Sequence, residues 1–331
     1  MPRATDVLRR GDRGQSYRAP MQQPRIDPHR LACRSRQSGI ALMAMLTLLT
    51  LFGLYVFVGR LSATQYKLGN VETDAAILAE AAEALIGRAA SDGNRPGSLP
   101  CPAPSDAGVA PLLVGNECPA YIGRLPWSTL RVGALRDSAG ELLWYALSRG
   151  LRDDESAQPI NFQTPVQLTL DGAPNIAAII FSPQAPLPNQ SGRPGNTVSD
   201  YLDASNSDGD SAYVSSSPSA AFNDQLLAVP RGAIFRVVNQ RVLVEVGGPG
   251  LSPSQWGLRK YYADNGSFPW ADSDGDGYGD VGATLGYLPY NELLLAAWLS
   301  PNGWPPLIRY ERLGTDSARV SVDSSTLDIV P

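Results

Sequence analysis

The chain has 331 residues, 18% of them charged, with 32 Gly and 28 Pro; that is enough for two domains and predicts long loops between short elements. The net charge of −5 hides an asymmetry: residues 1–39 carry nine Arg against three Asp, leaving 18 basic and 29 acidic residues beyond them. So acidic a body is repelled by phosphate backbones, which argues against nucleic acid as a partner. The one histidine, His29, lies in the basic head. The rest of the chain therefore has no Ser-His-Asp or Cys-His machinery and no zinc site with a His ligand. A GxSxG motif and a phosphate loop are missing too, and the chain reads as a non-enzyme.

Residues 40–58 (IALMAMLTLLTLFGLYVFV) form a nineteen-residue run without charge, closed by Gly59-Arg60. As a helix the run matches a hydrocarbon core of roughly 30 Å, and the Arg-rich head before it predicts a cytoplasmic N-terminus and an exported body. An uncleaved signal anchor fits such a run. An ordinary signal peptide fits less well, because the run is long and no small-x-small cleavage site follows. The junction Arg36-Gln37-Ser38-Gly39, followed at once by Ile40-Ala41-Leu42-Met43-Ala44, resembles the class III signal of type IV prepilins. That resemblance implies cleavage after Gly39 by prepilin peptidase and N-methylation of Ile40. It also implies that the retained apolar helix packs against other pilin or pseudopilin subunits and inner-membrane lipid. Ala44 stands where most pilins have Glu. The tip pseudopilin of type II secretion shares that departure, which implies a minor, tip-like subunit. The head is long for this family, with Met21 as an alternative start to Met1.

Val71, Ala75, Leu78, Ala82, Leu85 and Ala89 recur at helical steps, with Glu72, Asp74, Glu80 and Glu83 between them. They predict an amphipathic helix continuous with the apolar run, stopped by Ser91-Asp92-Gly93-Asn94 and Pro96. A helix of about 50 residues would be ~75 Å long, the spine shape of pilin-like folds. Next come Cys101 and Cys118, an even pair in an oxidising compartment once the head with Cys33 is removed. A disulfide there would close a sixteen-residue loop and add ~3 kcal/mol; two free thiols are the alternative.

Residues 165–171 alternate as a strand, 176–181 (IAAIIF) read as a buried strand, and 183–222 as a long loop. Residues 231–246 suit a helix and a strand equally. The stretch Phe222–Val229 resembles an uncharacterised family of Gram-negative prepilin-like proteins, in which it, 185–190 and 201–203 are helical. A repeat also emerges: Gly123-Arg-Leu-Pro-Trp-Ser-Thr-Leu130 matches Gly286-Tyr-Leu-Pro-Tyr-Asn-Glu-Leu293 at an offset of 163, which also aligns Ala134 with Ala297 and Gly140 with Gly303.

Asp272-Ser-Asp274-Gly-Asp276-Gly277-Tyr-Gly-Asp280 opens like a calcium loop, in which alternate carboxylates converge on one ion. Its twelfth position is Ala283 in place of Glu, so either a weaker calcium site or a solvated acidic turn fits. Asn206, Asp208 and Asp210, with Asp203 nearby, form a fainter version. The strong loop sits in the second repeat where Cys101–Cys118 sits in the first.

The expected fold is α+β: a long N-terminal transmembrane-plus-amphipathic helix, then a pilin-like antiparallel-sheet body, duplicated. Its parts are a basic cytoplasmic leader (1–39), a membrane part (40–59), a first unit (60–150), strands and long loops (151–230) and a second unit with the acidic loop (231–331). The expected function is a minor pilin or pseudopilin of a type IV pilus or type II secretion filament, in the bacterial inner membrane with its body in the periplasm. The alternative is a single-pass, membrane-anchored, calcium-dependent binding or adhesion protein.

Overall fold

The computed structural model describes residues 38–153, 158–250 and 254–331, without the side chains of 38–41 and 58–70. The leader with His29, Cys33 and Met21 lies outside the described residues, and of Gly39 and Ile40 only helical backbone is described. The chain forms two compact units, Met1–Leu61 and Ser62–Pro331.

Helix α1 spans Ser38–Ser91. In the first unit its described side chains, Leu42 to Phe57, are exposed throughout. Among the described residues no helix is long and apolar enough to cross a membrane. This corrects two expectations: the transmembrane part of the fold, and single-pass anchoring in the inner membrane.

The second unit is α+β with two sheets. After α1 come β1 (Ile122–Arg124), a short helix α2 (Trp127–Leu130), β2 (Trp144–Leu147), β3 (Leu168–Leu170), β4 (Ala173–Ser182), β5 (Ala212–Tyr213) and β6 (Gln225–Pro230). These strands form one sheet in the order β1-β2-β4-β3-β5, with β6 also on β4. It is not wholly antiparallel, because β3 and β5 run parallel. Helices α3 (Arg231–Gly247) and α4 (Gly257–Asn265) lead to β7 (Leu285–Tyr287), β8 (Arg309–Arg312), β9 (Ala318–Val322) and β10 (Ser325–Ile329), an antiparallel sheet in the order β10-β9-β8-β7. One core joins α1, α3 and both sheets through Leu85, Tyr145, Ile180, Val238, Tyr310 and Val320.

The buried face of α1 holds Leu78, Ala81, Ala82, Leu85 and Ala89, yet Val71 is exposed and Asp74 fully buried. The stripe is rotated at its start because the Asp74 carboxylate is drawn inward by fixed donors. It accepts from Ser138 N at 2.6 Å, Ser138 Oγ at 2.8 Å, Gln184 Nε2 at 2.8 Å and Gln225 Nε2 at 3.2 Å. Such charge-assisted bonds offset the cost of burying an ion.

Residues 231–246 resolve as helix, with Ile234, Phe235, Val238, Val242, Leu243 and Val246 buried, positions that an alternating strand could not place on one face. Residues 225–230 are strand, not helix, since they pair with β4 in the register Ile180↔Leu227 and Phe181↔Leu226. Leu227 and Val229 face the main core, while Leu226 and Ala228 face a second cluster. That cluster, Trp144, Ile179, Phe181, Tyr201, Leu202 and Tyr213, turns the 183–222 segment from a plain loop into a cover over the outer face of the first sheet. Residues 185–190 are not helical, and short 3-10 turns at Val198–Asp200 and Ala204–Ser207 flank 201–203.

Candidate metal-binding loop and its counterpart

The acidic loop hangs from β7. Asp272 N donates to Tyr287 O at 3.1 Å and Tyr287 N returns a bond to Asp272 O at 2.7 Å. Gly286 permits this approach, because a Cβ there would lie 2.1 Å from Asp272 O. The side chain of Asp272 is buried; Oδ1 accepts from Gly275 N at 2.6 Å and Oδ2 from Gly277 N at 2.8 Å. Asp274 Oδ1 accepts from Asp276 N at 3.1 Å, and Asp276 Oδ1 from Tyr278 N at 2.8 Å. The loop is braced from outside by Asn291, which bonds Gly277 O and Asp276 O, and by Glu292 Oε1, which accepts from Gly279 N at 2.7 Å.

Asp272, Asp274 and Asp276 each bring a carboxylate oxygen within 4.8 Å of the others, a group that could hold a metal ion. The donors are all hard oxygens, the set that suits a cation such as calcium or magnesium. Asp280 stands outside this group. Its Oδ2 accepts from Ser273 N at 2.8 Å and Ser273 Oγ at 2.5 Å, which hold its carboxyl below the usual range. Asp280 thus closes the neck of the loop.

The fainter set does not converge. Asn206 is buried, its Oδ1 accepting from Val214 N and its Nδ2 donating to Val214 O and Asp224 Oδ2. Asp208 and Asp210 are exposed and cap the backbone at Asp210 N and Ala212 N. Both ends of the Asn206 amide are spent on holding the cover segment.

Cys101 and Cys118 are bonded as a disulfide with Cα atoms 5.5 Å apart, both buried. Gly39 and Ile40 fall within α1, where no side chain is described.

The loop has a geometric counterpart inside the disulfide-closed segment. Ala103 bridges Arg124 through two bonds of 2.9 Å, as Asp272 bridges Tyr287. Gly123 faces Tyr145 and Gly286 faces Tyr310 in antiparallel pairs, and a Cβ on Gly123 would lie 2.8 Å from Ala103 O. Pro126 and Pro289 each sit at the centre of an inverse γ-turn, with Trp127 N donating to Leu125 O and Tyr290 N to Leu288 O, both at 2.8 Å. Gly108 O accepts from Ser128 N and Gly277 O from Asn291 N, both at 2.9 Å. At these two glycines φ is +63° and +89°, and a Cβ would strike the ring of Trp127 or Tyr290. Ala103–Gly108 therefore takes the place of Asp272–Gly277, with Ala103, Ser105 and Ala107 where the second loop has its three aspartates.

Sequence reasoning missed Arg124. It is buried, with its guanidinium 4.6 Å from the Trp144 ring centroid and 4.0 Å from that of Tyr201, and it pairs with Asp106 at 3.0 Å. The repeat held the signal, since it places Arg124 opposite Tyr287. No protein-family model matches the chain, and neither does any curated protein or solved structure.

Proposed function

We propose that this chain is a minor, structural subunit of a type IV pilin or pseudopilin filament, exported and working through subunit contacts without catalysis. The observation that carries the reading is the N-terminal part of α1, where Leu46, Phe52, Leu54, Tyr55 and Phe57 are all at least 60% exposed. An apolar surface of this extent favours association with similar helices. The Gly39-Ile40 junction supplies the processing signal and prepilin peptidase is the enzyme that would act on it. The Cys101–Cys118 disulfide fits an oxidising compartment. On this reading Asp272, Asp274 and Asp276 take calcium as a stabilising ion. With Asp280 turned to Ser273 and Ala283 at the twelfth position, the site is weaker than a full twelve-residue loop.

The test is mass spectrometry of the N-terminus from cells with and without prepilin peptidase. The expected product begins at N-methylated Ile40 only when the peptidase is present, and Gly39→Glu blocks it. A mature protein that keeps residues 30–39 in peptidase-competent cells overturns the proposal.

A further inference from the structure

The cover segment is fastened by two buried carboxylates that face one another. Asp203 and Asp224 are 2% and 4% exposed. Asp203 N donates to Asp224 Oδ2 at 2.9 Å, and Asp224 N donates back to Asp203 Oδ2 at 3.1 Å. Their surroundings then diverge. Asp203 also accepts from Asn223 N at 2.7 Å and from Gln190 Nε2 at 2.8 Å, so both of its oxygens are engaged. Asp224 has a further donor, Asn206 Nδ2 at 3.2 Å, on the same Oδ2, while its Oδ1 is buried with no partner among the described residues.

Two carboxylates at this distance from water cannot both ionise without large cost. Asp203 is the better hydrogen-bonded of the two, with three N–H donors on its oxygens against two for Asp224, and a proton finds its natural place on the empty oxygen of Asp224. We propose that Asp203 and Asp224 form a proton-operated latch, which holds residues 185–224 against the outer face of the first sheet when Asp224 is protonated and loosens when it is not. Among the described residues, the other side chain bonded to Asp224 is the neutral Asn206, and the neutral Asn223 stands beside it in the chain. The nearest cation in the network, Arg193, reaches Asp203 only through Gln190, donating from Nη2 to Gln190 Oε1 at 2.8 Å. Burial, reinforced by the Asp203 charge, pushes the Asp224 carboxyl up to about 7. The latch matters because the segment it fastens carries Tyr201, whose ring lies 5.1 Å from that of Trp144 and 4.0 Å from the Arg124 guanidinium.

The sign follows from linkage. A folded-state pKa above the unfolded value means that the native state binds more protons between the two, so stability is fully present below about pH 4 and falls as pH rises toward 7. Within that window the folded-to-unfolded ratio should drop by up to about tenfold per pH unit, levelling above it. The experiment measures thermal unfolding of the full chain from pH 4 to pH 8 in chelator, with hydrogen exchange over 198–224 at the two extremes. Wild-type protein should lose stability toward pH 7 and show lower protection in 198–224 at pH 8, after the intrinsic rise of amide exchange with pH is divided out. Asp224→Asn, a permanent copy of the protonated side chain, should flatten the profile and exceed wild type in stability at pH 8. A profile for Asp224→Asn parallel to wild type overturns the latch. If that variant does not fold, the carbon-13 carboxyl titration of Asp224 in wild-type protein decides: a midpoint near 7 supports the latch, and one near 4 overturns it.

Discussion

The two halves of the second unit use one local scaffold to hold loops of opposite electrical character. In both, a glycine lets a bridging backbone approach a short strand, a proline makes an inverse γ-turn, and the next aromatic packs beneath a left-handed glycine. On the first scaffold the loop 103–108 carries one acidic residue, Asp106, which pairs with Arg124, and a disulfide spans its neighbourhood. On the second the loop 272–277 carries three carboxylates, their hydrogen bonds coming from backbone N–H groups, and Tyr287 stands where Arg124 would be. One loop is neutralised from within and tied covalently. The other gathers negative charge that a bound cation would relieve. The difference teaches that a backbone scaffold sets where a loop goes, while a few side chains set what it requires from outside.

The covalent half of this comparison should give the largest effect. Cys101→Ser with Cys118→Ser removes the constraint on a sixteen-residue loop and is expected to cost ~3 kcal/mol in chemical denaturation. The cation response of the acidic loop should survive in that variant; its loss would mean that the two loops are coupled.

The paired glycines come next, and they separate the scaffolds. Gly286→Ala would put a Cβ 2.1 Å from Asp272 O, whereas Gly123→Ala would put one 2.8 Å from Ala103 O. The first should cost about 3 kcal/mol and the second about 1 kcal/mol, read as shifts in denaturation midpoint. Equal costs would show that the two approaches are not as unequal as their geometry.

The smallest direct effect is at the carboxylates themselves. Excess calcium, compared with chelator, should raise the thermal midpoint by mass action, about 2.7 kcal/mol if the ion is present at a hundred times its dissociation constant. Asp274→Ala with Asp276→Ala should change stability in chelator by less than about 1 kcal/mol, because both side chains are exposed. The same pair should abolish most of the calcium response. Identical melting of wild-type protein in calcium and in chelator would leave the loop as a solvated acidic turn.

Much of this was legible because it depends on short-range pattern. Cysteine parity and spacing anticipated the disulfide, and the apolar run 176–181 anticipated β4. The Gly-x-Leu-Pro-aromatic repeat marks the two places where β1 and β7 run into a proline turn, since Gly and Pro act on their own backbones. The DxDxDG spacing located the carboxylate group, but not the fate of Asp280, whose oxygens go to Ser273 in the same loop. Residues 225–230 misled because their strand state comes from pairing with β4, more than forty residues away in sequence.

By itself the sequence determined charge partition, cysteine pairing, the turn chemistry of both scaffolds and where carboxylates crowd, all properties of neighbours along the chain. Tertiary structure decided which polar groups are buried. Asp74 reads as the wet face of a helix and is fully buried because Ser138, Gln184 and Gln225 converge on it from distant segments. Asp203 and Asp224, twenty-one positions apart in sequence, become a facing pair only when the segment between them closes over the sheet. Whether a carboxylate is solvated, capped or left with an empty oxygen depends on donors brought from elsewhere, and no local pattern encodes them.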